Sequence, residues 1–150
     1  MLNSVESRIN ALEKDGGGKL FTRVKSAFNI NEIKGKSVPA PYIAYVVDLG
    51  EKPGTPLSDS AGTVTEITQT IGLLIGIQSR NDKAGTKGNA LLKSVKDKVR
   101  ISLLGWRPER RYRNFKIGSS APFAFADNGI WWMERFTTTY ILESMYDQAN

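Results

Sequence analysis

Arginines crowd the segment from 105 to 116. Arg107, Arg110, Arg111 and Arg113, with Lys116, alternate with Trp106, Tyr112 and Phe115. Guanidinium groups contact phosphates and aromatic rings stack on bases, so one chemistry on offer is recognition of an anionic polymer. No helix-turn-helix, zinc or RNA-binding signature accompanies it, and a tryptophan directly after a helix stop is more often a packing anchor. A structural or protein-interface role is therefore the leading reading. A second candidate is Glu134, the acid on a strongly apolar strand face between Trp132 and Phe136. It could act as a catalytic acid, but a buried charge needs a partner, and an arginine from 107–113 is the expected one. Two fragments of a phosphate-binding loop, Gly16-Gly17-Gly18-Lys19 and Gly35-Lys36-Ser37, lack the preceding glycine at the required spacing and read as turns.

The chain has no histidine and no cysteine. That removes disulfides, thiolate ligands, cysteine nucleophiles, histidine-containing triads and most zinc or iron sites. No catalytic residue, cofactor or metal is expected. No apolar run approaches the roughly 18 residues of a membrane span, and the N-terminus lacks the pattern of a secretory leader, so a soluble, cytoplasm-made protein without membrane contact is expected. The net charge of +6 is uneven: residues 80–116 hold 12 basic and 3 acidic side chains, while residues 1–79 hold 8 of each. Such a concentration points to an anionic partner or to charge-guided assembly. Lys93, Lys96 and Arg100 share one side of the helix that precedes the arginine segment, and they join Arg107, Arg110, Arg111, Arg113 and Lys116 as candidate anion-facing residues.

At 150 residues and 40% hydrophobic, one domain spanning 1–150 is expected, large enough to need no metal or disulfide staple. Val5, Ile9 and Leu12 give a short amphipathic helix over 2–14, stopped by Gly16-Gly17-Gly18. Leu20, Phe21, Val24 and Phe28 suggest a second helical piece over 19–28. Pro39 and Pro41 bar helix and open a strand over 42–49. Residues 50–62, with two prolines and three glycines among them, read as a long loop.

A strand over 63–79 puts Ile67, Ile71, Leu73, Ile75 and Ile77 on one face. Gly72 and Gly76 fall on the other, open to close packing by a helix or by a neighbouring subunit. After a polar connector at 80–88, a helix over 89–104 carries the stripe Leu91, Leu92, Val95, Val99 and Leu103. Asn89 is its expected N-cap and Gly105 its stop. Strands over 121–126 and 130–142 then flank Asn128-Gly129, the strongest short hairpin signal, which pairs Asp127 with Ile130, Phe125 with Trp132 and Phe123 with Glu134. Gly105, Trp106, Pro108, Asn128, Gly129, Trp132 and Phe136 are the expected structural anchors, with Trp106, Trp132 and Phe136 in the core.

The helix ending Leu103-Leu104-Gly105-Trp106-Arg107-Pro108, followed by Asp127-Asn128-Gly129-Ile130-Trp131-Trp132-Met133-Glu134-Arg135-Phe136, resembles the tail terminator (tail completion) family of tailed bacteriophages, in its Mu-like prophage form. Pro39-Ala40-Pro41-Tyr42-Ile43-Ala44-Tyr45-Val46 and the long strand after it fit the same family, so the likeness covers about 36–142. It implies an α/β (α+β) domain, a twisted mixed or mostly antiparallel sheet flanked by helices, with no catalytic residues. It also implies a job: a homohexameric ring on the last ring of tail tube protein, at the head-proximal end of the virion's tail, that stops polymerisation and docks a head-completion or neck protein, with DNA passing through the channel. The alternative is a small basic DNA-binding accessory protein of a prophage.

Overall fold

The computed structural model describes residues 1–27, 29–79 and 86–145, with the backbone alone for Thr86, Lys87 and Met145. In chain order the elements are α1 (Leu2–Asn10), β1 (Arg23–Ala27), a 3₁₀ turn (Ile30–Ile33), β2 (Tyr42–Pro53), β3 (Leu57–Ser58), β4 (Gly62–Gln78), α2 (Thr86–Leu103), β5 (Lys116–Ala126) and β6 (Gly129–Met145). They build one mixed six-stranded sheet in the order β1-β2-β4-β6-β5, with β3 beside β4 past the end of β2. Among the described residues only the β1–β2 pair is parallel. This is the expected α+β architecture.

The middle of the sheet follows from the alternation in β4. It pairs with β6 in unbroken antiparallel register from Gly62↔Met145 to Gln78↔Gly129. Ile71, Leu73, Ile75 and Ile77 pack with Val5 and Ile9 of α1, with Leu92, Val95, Val99 and Leu103 of α2, and with Phe136 of β6. Both helices therefore cover the same sheet face. The opposite face is closed by the chain itself. Trp131 and Met133 of β6 pack with Ile43 and Leu74, and the segment around Val38 lies over them. The glycines explain how: a Cβ on Gly76 would stand 2.5 Å from the Trp131 ring, and one on Gly72 2.7 Å from the Met133 sulfur. The space beside these glycines is filled from within, not by a neighbouring subunit.

Several expectations fail for definable reasons. α1 ends at Asn10, because the chain turns back at once and Glu13 bridges Lys19 around three glycines with positive φ. The predicted helix over 19–28 is strand β1, with Phe28 outside the described residues. Its few apolar residues fit either period, and the open edge of β2 offers backbone partners that a helix would leave unused. The predicted loop at 50–62 is largely strand. β2 runs to Pro53 across a bulge between Asp48 and Glu51, where Gly50 takes φ +102°, and β3 pairs Leu57 with Val64. α2 begins at Thr86, so Asn89 lies inside its first turn and caps nothing; of the connector over 80–88, residues 80–85 lie outside the described ones. Leu91 stands outside the buried stripe at 38% exposure. Gly105, at φ +78°, ends the helix as expected.

The hairpin is present, but its turn lies one residue earlier than expected, which moves the pairing by two residues beside the turn and by three at Glu134. Its two turn residues are Asp127 and Asn128, so Phe125 faces Ile130, Ala124 faces Trp131, Pro122 faces Trp132 and Ser120 faces Glu134. Phe125 is left 75% exposed. Gly129 is needed as the first residue of β6, where a Cβ would collide with the Ile77 carbonyl. Asn128 turns its amide outward to the chain before β2, accepting from Val38 N at 2.9 Å and donating to Val38 O at 2.8 Å. The adjacent tryptophans point to opposite faces. Trp131 is the fully buried one, and Trp132 is half-buried, as is Trp106, although both pack on the core.

A polar network fixes α2 on the sheet. Glu134 is fully buried, and its partner is Arg100 of α2, not an arginine from 107–113. Arg100 donates to both carboxylate oxygens at 3.1 Å, Ser120 Oγ donates at 2.6 Å, and the Trp132 indole N–H stands 3.0 Å away and 2.8 Å from Ser120 Oγ. Lys96 lies 4.3 Å above the Trp132 ring. The carboxylate is thus satisfied from three directions, which is what a buried charge requires.

Two predictions follow from this packing. Arg100→Leu should cost about 3–5 kcal/mol, because it strands a buried carboxylate; Glu134→Gln should cost less, about 1–3 kcal/mol, because Arg100 keeps access to water. Urea unfolding gives both values, and the reverse order would contradict the assigned burial. Gly76→Ala should cost about 1–3 kcal/mol by overpacking and shift the tryptophan emission, since the Trp131 ring must move. An unchanged midpoint and spectrum would mean that the close approach does not hold Trp131.

Candidate assembly surface

The arginine segment is a closed loop built on its aromatic residues. Gly105 N–H donates to Phe115 O and Phe115 N–H to Trp106 O, at 3.0 and 2.9 Å, so the ends of the loop are tied together. Trp106 stacks near Phe115 with ring centres 6.0 Å apart, and Phe115 meets Phe136 edge-on at 6.3 Å. Pro108 is buried, and Tyr112 packs edge-on against Tyr140 at 5.2 Å beside Ile67. The loop is also stitched to β6. Arg113 N–H donates to Thr139 O at 2.9 Å and Thr138 Oγ1 donates to Arg113 O at 2.5 Å. The aromatic residues therefore point inward as anchors and offer no stacking platform to bases.

The eight candidate cations separate into three groups. Arg100 and Lys96 belong to the network around Glu134. Arg111 and Arg113 serve the base of the loop: Arg111 lies 4.8 and 4.6 Å from the Tyr112 and Tyr140 ring centres, and Arg113 pairs with Glu66 at 3.3 Å. The hydrogen bond from Arg111 to the Tyr112 hydroxyl, at 2.8 Å, raises the guanidinium further above its already high value. Tyr140 donates to Glu51 at 2.9 Å, and that bond raises its phenol above the ordinary value. Lys93, Arg107, Arg110 and Lys116 remain exposed, with no partner among the described residues. Lys116 pairs in register with Thr137 and so lies on the sheet face away from α2.

β4 and β6 are 17 residues each, about 56 Å at roughly 3.3 Å per residue. α2 has 18 residues, about 27 Å at 1.5 Å per residue. The ladder thus outruns the helix that covers it. Beyond Ile67 and Tyr140, β4, β6 and β3 continue as an arm that no described helix covers on either face, with Leu57, Val64, Ile141 and Leu142 exposed. A second apolar pair, Ile101 at 81% and Leu104 at 53% exposure, stands on the outer side of α2. The signal was available: both residues lie off the buried stripe of their helix, and the strand lengths alone exceed the helix length.

Among the described residues no group of acidic side chains is placed to hold a metal ion. No described helix is long and apolar enough to cross a membrane. The surface is one of loop anchors, unpaired cations and bare aliphatic side chains, which suits contact with other protein.

Comparison with known proteins agrees with that character. The model of one family, described as phage tail terminator protein, matches residues 15–148. A search of curated proteins finds no match. The family match takes in all six strands, α2 and the anchored arginine loop, and on that extent the chain belongs to the phage tail terminator protein family, as a structural component of the phage tail.

Proposed function

We propose that the protein assembles into a six-membered ring on the last ring of the tail tube. There it ends tube polymerisation and presents the docking surface for a head-completion or neck protein at the head-proximal end of the tail. The arm carries this reading. A strand pair with exposed aliphatic residues on both faces is a liability in a monomer and a ready contact in an assembly. A ring of identical subunits needs two different patches on each copy, plus distinct faces for tube and neck. The uncovered arm and the cation-bearing outer side of α2 supply different patches. No catalytic step is needed for this job. The DNA-binding alternative is weaker, because the aromatic residues that would stack on bases are spent inside the arginine loop; it predicts affinity falling steeply with salt.

Negative-stain imaging of the purified protein, alone and with its tube protein, tests the proposal. Six-fold rings and tubes capped at one end, with arrested growth, are expected. Tubes that lengthen equally with and without the protein would defeat it. The unpaired cations give a second test. Reversal of Lys93, Arg107 and Arg110 to glutamate should leave the melting temperature within a few degrees and lower the yield of head-joined particles, with the difference from the wild type shrinking at high salt. The same reversal of Arg111 or Arg113 should instead lower stability, because each has internal partners. Normal particle yield from the first variant would reduce those cations to a solvated surface.

A further inference from the structure

We infer that neighbouring copies join head to tail through the tip of the arm, whose hollow receives Ile101 and Leu104 from α2 of the next copy. The inference rests on the ring reading above and names the contact that would make the ring. The hollow holds about 460 Å³ and is lined by Leu57, Val64, Asp59 and Glu143 among others. Leu57 and Val64 pair across β3 and β4, and Val64 pairs with Glu143 of β6, so these side chains share one face. Leu57 is 73% exposed, and no described residue of its own subunit fills the space. The turn below is already shaped, since Asp59 Oδ1 accepts from Ala61 N–H at 2.7 Å and Gly62 N–H at 3.1 Å.

The complementary patch lies on α2. Ile101 and Leu104 are three residues apart and so share a helix face, and Arg107 and Arg110 follow directly, exposed and without partners among the described residues. An aliphatic floor with an acidic rim therefore matches an aliphatic knob with a basic flank. Charge and apolarity agree at both positions, which favours a second copy over an unrelated partner. The two patches cannot meet within one chain. By strand alternation Val64 and Glu143 lie on the face opposite Ile67 and Ile71, hence opposite α2. A contact between unlike patches is heterologous, and it closes a ring when the rotation between copies divides a full turn.

The absence of cysteine makes the test clean, because a disulfide forms only where cysteines are introduced. A chain carrying both Leu57→Cys and Ile101→Cys, oxidised in assembled tails, should give a ladder of covalent oligomers ending at the ring number. Mixed single variants should stop at dimers. Rings without a ladder would overturn this interface and leave the ring reading standing. Dimers from Leu57→Cys alone would mean that arms pair with each other, which also overturns it. Cross-linking of Leu57→Cys to the tube protein would assign the hollow to that partner instead, and tails without rings would remove both readings. Charge exchange gives an independent check. Glu143→Arg should weaken subunit association by about threefold, and adding Arg107→Glu with Arg110→Glu should restore it. Failure to restore it counts against the contact.

Discussion

Everything in this protein hangs on the β4–β6 ladder. Its register is unbroken over the full length of both strands, so the side-chain alternation set at one end holds at the other. A slip of one residue would exchange the two faces everywhere at once. That single constraint puts four aliphatic residues of β4 under the helices and places Gly72 and Gly76 where Met133, Trp131 and Ile43 can lie flat against the backbone. It also determines what the core cannot cover. α2 is about half as long as the ladder, so the strands must leave the core at one end. Gln69, held by Asp48 at 2.7 Å, and Thr138, bonded to the arginine loop, are the buried polar residues at that boundary.

How α2 is held matters as much as that it is held. An apolar stripe against an apolar sheet tolerates rotation and sliding, because dispersion and burial have no direction. The Arg100–Glu134 pair adds direction, since a guanidinium that meets both oxygens of a buried carboxylate fits one axial position of the helix. Lys96 over Trp132 and the Trp132–Ser120 bond tie the same point to β5. The pair is a weak source of net stability. Its consequence is positional: it fixes where the outer face of α2, with Ile101 and Leu104, points relative to the strands.

Much of this architecture was legible in the sequence, and the failures share a cause. Long periodic elements read correctly: β4, α2 and β6 declared themselves by repeat and by the stops at Gly105 and Asn128-Gly129. Elements whose identity depends on a distant partner did not. β1 is too short for its period to choose between helix and strand, and only the free edge of β2 decides it. Glu134 visibly needed a cation, yet Arg100 could be named only once the helix was docked. The hairpin turn erred by one residue because Gly129 serves a close approach to Ile77 and not the turn. The candidate cations were read as one patch, although folding divides them between a buried network, a loop base and a free surface. The likeness to phage tail terminators came from the anchors themselves, the Gly-Trp-Arg-Pro stop and the paired tryptophans, because these close the arginine loop and both sides of the sheet.

The energetics suit the action proposed for the protein at a tube end. Among the described residues no buried side-chain polar atom lacks a partner, so the interior makes no demand on a ligand or a neighbour. What remains unsatisfied is on the outside and is individually weak. An exposed ion pair contributes about 0.2–1 kcal/mol, and small aliphatic contacts add a few kcal/mol at most. In a proposed ring such contacts leave a free subunit uncommitted. On a tube end, as proposed, the geometry would change, because each bound subunit would hold its neighbour's patch at high effective concentration and the same weak contact would become intramolecular. Assembly is then steep in the number of subunits already seated, and closing the ring adds a contact without adding a subunit. On the proposed reading, a subunit built this way stays uncommitted until the tube presents its last ring, and the timing would reside in the geometry of the arm and α2.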